Sequence, residues 1–482
     1  MTHGRKQFTE NVSSAKIAVI GLGISNIPLI HFLHRSGARS ITAYDRFDTI
    51  QIQKNIDTLS QAGMIRGAVT GEGYLDKLAE AKYDIIFKAP AIRPDLPQLA
   101  AAKENGALLT SEMELFFDLC PCKIYGVTGS DGKTTTTTLL WKLLSSHYAG
   151  SNTKVWLGGN IGRPLVDLLP EIKQDDVAVV ELSSFQLMTM RKSPDVSVIT
   201  NISPNHLDIH KDYAEYIAAK KNICLHQKKD GVAVFNYRNE VTRSLADAFL
   251  SEGRRVRLFS AYLHAKEDFD TRAEGCGYRK ENELIYFSSL YNYKLDRDLL
   301  RVPGIFNAEN LLAAIAACAG VVTQTDIEKT VSDFTGVEHR LEFVRELHGV
   351  KYYNSAIDSS PNRTIQTLSV FAGNVVLLAG GKDKNIPYDA IGPAICGKVK
   401  VLILTGPTAP KIEAAVKAAD GYDPQAIKIF HFKNYEDAVK CAYDNSSPGD
   451  AVLLSPASTS FDLFRNFEER GHVFKSLVAA LE

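Results

Sequence analysis

The chain has 482 residues, 45% hydrophobic and 23% charged, an ordinary balance for a soluble globular protein and enough for roughly two to four domains with ample core. Its formal net charge of −1 excludes a bulk field that would draw it to nucleic acid or an anionic membrane, so any anionic ligand must be held by a local site. The seven cysteines are scattered, odd in number and without a CxxC pair, which fits free thiols in a reducing cytoplasm better than disulfides or a zinc site.

The N-terminus, MTHGRKQFTENVSS, lacks the apolar stretch of a signal peptide. A first block opens with a strand at 16–20, then GLGISN, a helical segment, and a second strand at 40–44 that ends at Asp45-Arg46. This is a βαβ start with a glycine turn between strand and helix. The third glycine of GxGxxG is Asn26 here, so a standard dinucleotide site is not expected. A plain tight turn and a ribose or uridine contact at the acidic strand end both remain open.

A second block begins near Glu112. Strands are expected at 123–127, 177–180, 196–202 and 232–235 with helical connections, which indicates a mostly parallel sheet covered on both faces. Residues 250–300 are more polar, with short strands at 256–259 and 284–287. The longest apolar run, around 311–322, is too short to span a bilayer and reads as a buried helix. A third block begins near Gly336, with strands at 350–354, 374–378, 399–404, 428–432 and 451–454. The fold class is therefore α/β in three domains: a Rossmann-like first (1–111), a central parallel sheet of P-loop ATPase type (112–336) and a Rossmann-like third (337–482).

The chemistry concentrates in GVTGSDGKTTTTTLL, residues 126–140. The consensus GxxxxGK[ST] is not matched strictly, but its physical parts are present. Glycines let backbone N–H groups turn inward around an anion, and a helix N-terminus adds partial positive charge. Lys133 can reach outer phosphates and the Thr134 hydroxyl can take Mg²⁺. Threonine is a poor helix former, but in a first turn its hydroxyl can serve free N–H groups or a metal. The other four threonines are expected only to pack or cap. A second anchor is Glu181 in VAVVELSSFQL, which would emerge at the carboxyl edge of the sheet, where open α/β sheets bind ligands. The next strand runs through VSVITNISPNHLDIH to His206 and Asp208.

TGSDGKTTT, GGNIG (158–162), ELSSFQL (181–187), NISPNHLDIH (201–210), EYIAAKKNI (215–223), GIFNAEN (304–310) and EHRLE (338–342) resemble the Mur ligase family. ELSSFQL and the C-terminal SPASTSFDLFRNFEERG (455–471) narrow the resemblance to its D-glutamate-adding members. The resemblance implies an ATP-dependent ligase. The carboxylate of UDP-N-acetylmuramoyl-L-alanine attacks the γ-phosphate, ADP leaves, and the amine of D-glutamate attacks the resulting acyl phosphate. Two anions must approach in line, so cations have to offset their repulsion. The resemblance implies two Mg²⁺ ions, with Thr134 at one and Glu181 and His206 at the second. It also implies that Lys220 is carried as a carbamate, an anionic oxygen donor where a protonated lysine would repel Mg²⁺. Lys133, Glu181, His206 and Lys220 are thus the implied catalytic set.

Further assignments follow from the same resemblance. On the ATP side stand Gly129, Ser130, Asp131, Gly132, Lys133, Thr134 and Thr135, with Asn307 and Asn310 as adenine contacts. His339 and Arg340 resemble residues that meet the nucleotide when the third block closes. Ile24, Ser25, Asp45 and Arg46 match positions around the uridine diphosphate. Asn160, a phosphate-side contact, and Ser183 join that substrate's side. Ser359, Lys384, Ser460 and Phe467 match positions that hold D-glutamate, whose carboxylates suit a cation and hydroxyls.

Two departures stand out. After Asn354 the family commonly shows Asp-Ser-Lys, whereas this chain has Ser355-Ala356-Ile357, with Asp358 the next acid along. Ala89-Pro90-Ala91 stands for the usual Ser-Pro-Gly. Alternatives at this level are another Mur ligase, a folylpolyglutamate synthase-like ligase, or a nucleotide-binding relative without catalysis. A cytoplasmic monomer acting on small molecules, with no nucleic acid or membrane partner, is expected.

Overall fold

The structure is a computed structural model and describes residues 3–206, 209–384 and 386–482. The chain divides into two compact units, Met1–Leu295 with Glu309–Ile327, and Asp296–Ala308 with Glu328–Glu482.

The first unit holds two sheets. The smaller comprises β1 (Lys16–Ile20), β2 (Ser40–Asp45), β3 (Gly67–Thr70), β4 (Ile85–Lys88) and β5 (Leu108–Thr110), all parallel in the order β3-β2-β1-β4-β5. The winding reverses between β1 and β4, so the ligand-binding crevice of such a sheet lies at their carboxyl ends. The helix His3–Ser14 precedes β1.

The larger sheet comprises β6 (Lys123–Thr128), β7 (Val155–Gly159), β8 (Val177–Glu181), β9 (Val196–Ile199), β10 (Val232–Asn236), β11 (Arg255–Ser260), β12 (Gly275–Lys280), β13 (Glu283–Ser288) and β14 (Asn292–Asp296). Their order is β14-β13-β12-β11-β10-β9-β6-β8-β7. Strands β7 to β12 run parallel; β13 turns back antiparallel on β12. The sequences explain the difference. VAVVE, VSVI and VAVFN are buried at every position, as strands covered on both faces must be. NYKLD alternates exposed and buried, which suits a strand with one open face. The apolar run at 311–322 lies mostly in the helix Ile305–Cys318, with Leu311 to Cys318 buried. One continuous buried cluster runs from Val19 and Leu29 through Met113 and Phe116 to Leu165, Ala178 and Phe235, so the two sheets share a core.

The second unit is built on β15 (Glu342–Leu347), β16 (Val350–Asn354), β17 (Val375–Gly380), β18 (Val399–Thr405), β19 (Lys428–Phe432) and β20 (Ala451–Leu454) in the order β15-β16-β20-β17-β18-β19. Only β15 pairs antiparallel among its described ladders. Along β17, Val375, Leu377 and Ala379 enter one buried cluster and Val376 and Leu378 the other, the mark of a sheet wrapped on both faces.

One strand expectation needs correction. β9 ends at Ile199, not at 202. The next residues leave the ladder because they bond to the glycine loop after β6: Ser130 N donates to Asn201 O at 2.9 Å, Asp131 N to Asn201 Oδ1 at 3.0 Å, and Ser203 N to Ser130 Oγ at 2.9 Å.

Candidate active site

β6 runs into Gly129-Ser130-Asp131-Gly132, and the helix Lys133–His147 begins at once. Gly129 (φ +152°) and Gly132 (φ +78°) have backbone conformations that side chains rarely adopt. Neither has room for one: a Cβ at Gly129 would lie 1.8 Å from Thr200 Oγ1, and at Gly132 2.2 Å from Asn310 Oδ1. Thr200 Oγ1 in turn donates to Asp131 O at 2.6 Å, and Ser130 Oγ bonds Ser203 O and Tyr216 Oη, both at 2.9 Å. The loop is therefore held by the segment after β9 on one side and by Asn310 on the other. Gly132→Ala is expected to destabilise the fold by about 1–2 kcal/mol and cut turnover by at least about tenfold. Gly150→Ala, also at positive φ (+80°) but with nothing within 4 Å, is the control and should keep wild-type turnover. Thermal melts and ADP release measure both.

The threonine run now has a division of labour. Thr137 and Thr138 hydroxyls donate back to Lys133 O and Thr134 O, each at 2.8 Å, and Thr136 Oγ1 donates to Asn310 Oδ1 at 3.3 Å. Such back-bonding satisfies buried hydroxyls within the helix. Thr135, Thr136 and Thr137 are buried, while Thr134 stays partly open in the first turn.

Two lysines converge on one carbonyl. Lys133 Nζ donates to Gly129 O at 2.9 Å and Ser130 O at 3.0 Å; Lys220 Nζ donates to Gly129 O at 2.7 Å. Lys220 comes from the helix Tyr213–Leu225, is 1% exposed, and its Nζ lies 4.8 Å from the Tyr216 ring centre. Burial foremost, and then the charge of Lys133, push its amine down to about 6, against the pull of Glu181 and Asp131. Glu181 closes β8, where its neighbour in the ladder is Val127 of β6, and is 1% exposed. Its Oε1 accepts from Asn160 Nδ2 at 2.8 Å, while Oε2 has no hydrogen-bond partner among the described residues. A buried carboxylate oxygen left open at the edge of a phosphate-type loop is a place for a cation.

His206 lies on exposed backbone at φ +56°, its ring 5.2 Å from that of Phe185 and 6.4 Å from that of Tyr216. Asp208 lies outside the described residues. Ser183 caps the short helix Ser184–Leu187 through a capping box with Gln186.

At the carboxyl end of the first sheet, Asp45 accepts from Leu22 N at 2.7 Å and Phe47 N at 2.9 Å, so it braces the glycine turn. Asn26, where a third glycine would stand, is buried and donates to Ile20 O and Gly21 O at 2.9 and 3.0 Å. Its amide closes the strand end that the dinucleotide fingerprint would leave open. Ile24 is exposed beside it, Ser25 precedes the helix Asn26–Arg35, and the Arg46 guanidinium lies 6.0 Å from the Phe47 ring centre.

In the second unit, Lys384 Nζ donates to Ser359 Oγ at 3.2 Å. Lys382 and Thr459 exchange two backbone hydrogen bonds (2.9 and 3.2 Å), which lays the Lys384 segment beside that of buried Ser460. Phe467 opens the helix Phe467–Ala479, its ring 5.9 Å from that of His339. His339 is buried at φ +63° and accepts from Asn354 Nδ2 at 3.0 Å; Arg340 N donates to Val337 O at 2.9 Å. Asn307 Nδ2 donates to Pro303 O at 2.6 Å. Asp358 is buried and accepts from Thr367 Oγ1 at 2.7 Å and Ser455 Oγ at 2.8 Å, so it serves the interior of this unit and does not reach outward to replace the missing acid.

Comparison with known proteins agrees with this geometry. The Mur ligase middle domain matches residues 127–318, and the Mur ligase glutamate ligase domain matches residues 339–458. The chain belongs to the Mur ligase family and is an ATP-dependent ligase. Within that family it is 47% identical over 485 residues to the UDP-N-acetylmuramoylalanine--D-glutamate ligase of Acetivibrio thermocellus, covering 98% of each chain. It is 45% identical to the ligase of the same name from Ruminiclostridium cellulolyticum, covering 100% of each. Among solved structures it resembles the UDP-N-acetylmuramate-alanine ligase MurC of Thermotoga maritima (TM-score 0.54, 17% identity, 97% of this chain and 99% of that one). It also resembles MurF of the same organism in complex with ADP (TM-score 0.53, 18% identity, 98% and 96%). At such identities these two speak for the fold alone.

Proposed function

We propose that this ligase joins D-glutamate to UDP-N-acetylmuramoyl-L-alanine at the expense of ATP, a cytoplasmic step in making peptidoglycan precursors. The observation that carries the reading is the meeting of Lys133 and Lys220 on the Gly129 carbonyl, beside a buried Glu181 with an open oxygen. The full-length similarity to D-glutamate ligases supports the choice of substrates.

The reaction needs two displacements. A carboxylate oxygen of the UDP-substrate bonds to the γ-phosphorus as the bond to ADP breaks. The D-glutamate nitrogen then bonds to the acyl carbon, phosphate leaves, and the nitrogen gives up its proton. In the first displacement like charges meet, and the chain supplies the opposite charge. With the Ser130 and Asp131 amides engaged by Asn201, the start of the helix Lys133–His147 and the Lys133 ammonium are the groups that meet the phosphates. The donor set fits magnesium, which prefers hard oxygen ligands. Thr134 would hold one ion, and Glu181, His206 and a carbamate on Lys220 a second; when bound, the ions neutralise phosphate charge. A lysine amine near neutrality at physiological pH is the species that can take up CO₂.

The remaining roles are proposals of the same reading. Ser130, Asp131 and Thr135 complete the ATP loop, with Asn307, Asn310 and Arg340 on the nucleotide. Ile24, Ser25, Asp45, Arg46, Asn160 and Ser183 serve the UDP-substrate. Ser359, Lys384, Ser460 and Phe467 serve D-glutamate, and the contact between the first two supports a shared pocket for its carboxylates. Domain boundaries at 111/112 and 336/337 fit the sequence ranges of the three sheets. We infer a monomer acting on small molecules, and no helix among the described residues is long and apolar enough to cross a membrane.

Substrate omission tests the proposal. ADP release with UDP-N-acetylmuramoyl-L-alanine and ATP should require D-glutamate. Equal release with L-alanine, a diamino acid or D-alanyl-D-alanine would defeat it.

A further inference from the structure

The segment between β9 and the Lys220 helix carries His206, and its far end is gripped from the other sheet of the same unit. Arg93, beyond the carboxyl end of β4, uses every N–H of its guanidinium. Nε donates to Asp95 Oδ1 at 2.8 Å, and Nη2 to Asp95 Oδ2 and Glu215 Oε1, both at 2.9 Å. Nη1 donates to Glu215 Oε2 at 3.0 Å and to the Ile209 carbonyl at 2.6 Å. Two bidentate carboxylate pairs and a backbone carbonyl thus fix the fork in one orientation. The pair with Glu215 is largely shielded, with side-chain exposures of 22% and 25%.

Glu215 lies in the first turn of the helix Tyr213–Leu225 and also accepts from Lys211 N at 2.8 Å. The next residue, Tyr216, bonds Ser130 of the phosphate loop and carries the Lys220 amine over its ring. Glu215 Oε2 lies 3.5 Å from Nδ1 of buried His210, whose Nε2 is 2.9 Å from Ser184 Oγ, three residues beyond Glu181. One arginine therefore touches the segment that carries His206 and the helix that carries Lys220. It rises from the loop that opens with Ala89-Pro90-Ala91, at the carboxyl edge of the first sheet.

We propose that Arg93 is a positioning residue for the ligation. It ties residues 209–215 and the Lys220 helix to the carboxyl edge of the first sheet, so that a UDP-substrate held there meets the phosphate loop in register. This rests on the assignment of that edge to the UDP-substrate. A brace with no bearing on the reaction would lower stability alone, whereas a positioning residue changes turnover and the use of one substrate.

The test compares Arg93→Ala, Arg93→Lys, Glu215→Gln and the Arg93→Ala/Glu215→Gln double variant of the full chain. Steady-state ADP release, thermal melting and equilibrium binding of a non-hydrolysable ATP analogue are measured for each. In Arg93→Ala, kcat should fall about tenfold and the KM for the UDP-substrate should rise, while the analogue binds within about twofold of wild type. Arg93→Lys should recover only part, because an ammonium cannot make two bidentate pairs. Glu215→Gln should resemble Arg93→Ala, and the double variant should be no slower than the worse single one. Wild-type kcat and KM in Arg93→Ala with only a lower melting temperature would overturn the inference, as would an equal loss of analogue binding. Should the wild type use another acceptor, the functional proposal fails, and the same comparison made with that acceptor still decides the role of Arg93.

Discussion

Lys133→Ala should lose at least about a hundredfold in turnover while the protein folds and melts much as the wild type does. The two halves of this expectation have separate causes. Lys133 is partly exposed and donates to the Gly129 and Ser130 backbone carbonyls, so its removal opens no cavity in a buried core. The carbonyl of Gly129 keeps Lys220. Stability therefore has little to lose. The reaction has much to lose, because charge on the transferring phosphoryl group and on the attacking carboxylate must be offset in a site whose remaining donors are amides. Steady-state ADP release and a melting curve separate the effects. Ligase activity that persists in Lys133→Ala would mean that phosphates are bound elsewhere.

Lys220→Ala should be about as severe, yet open to chemical rescue. The amine is fully buried, next to a second lysine, and near neutral at physiological pH, a poor state for a structural cation but a suitable one for carrying a carboxyl group. If its carbamate supplies an oxygen, added formate or acetate should restore part of the activity of Lys220→Ala and none of that of Lys133→Ala. A folded but unrescued variant would count against the carbamate. The pH dependence of stability offers an independent check in CO₂-depleted buffer. The folded-state pKa, about 6, lies below the unfolded value near 10.5, so between them the unfolded chain binds more protons and stability rises with pH. Lys220→Met should flatten this rise by roughly 1.4 kcal/mol per pH unit across that window. Equal slopes would show that the amine stays charged when folded.

Much of this site could be read from the chain because its chemistry is local. Gly132, Lys133 and Thr134 are consecutive, and Glu181 ends a strand whose apolar run announces itself, so spacing and residue type were enough. Most core strands covered on both faces were similarly visible, although β4, central in the first sheet, was not. Strands that escaped notice are short, half exposed or glycine-bearing, such as GAVT of β3, VWLGG of β7 and GCGYRK of β12. Their pairing is decided by neighbours distant in sequence.

The supporting contacts were harder to see. Asn310 is expected at adenine from its motif; that its side chain also lies against Gly132 and accepts from Thr136 could not be read, because these residues are far apart in the chain. Thr200, Asn201 and Ile202 looked like strand, since β-branched and apolar residues continue past Ile199; only the loop served by this segment explains why the ladder stops. Arg93 gave no signal, because a lone arginine before a proline reads as solvated until its two carboxylates are located. Asn26 in place of glycine was a visible anomaly whose meaning, closing the end of β1, required the fold.

The loop between β6 and its helix is bonded on one flank by residues 200–203 and packed on the other by Asn310. Its shape is thus cast when the chain folds. A nucleotide that settles there does not have to freeze a floppy peptide, so little conformational entropy is surrendered at that moment. More of the attraction between amides and phosphate can then appear as affinity, and the mould already has its form when the first substrate arrives.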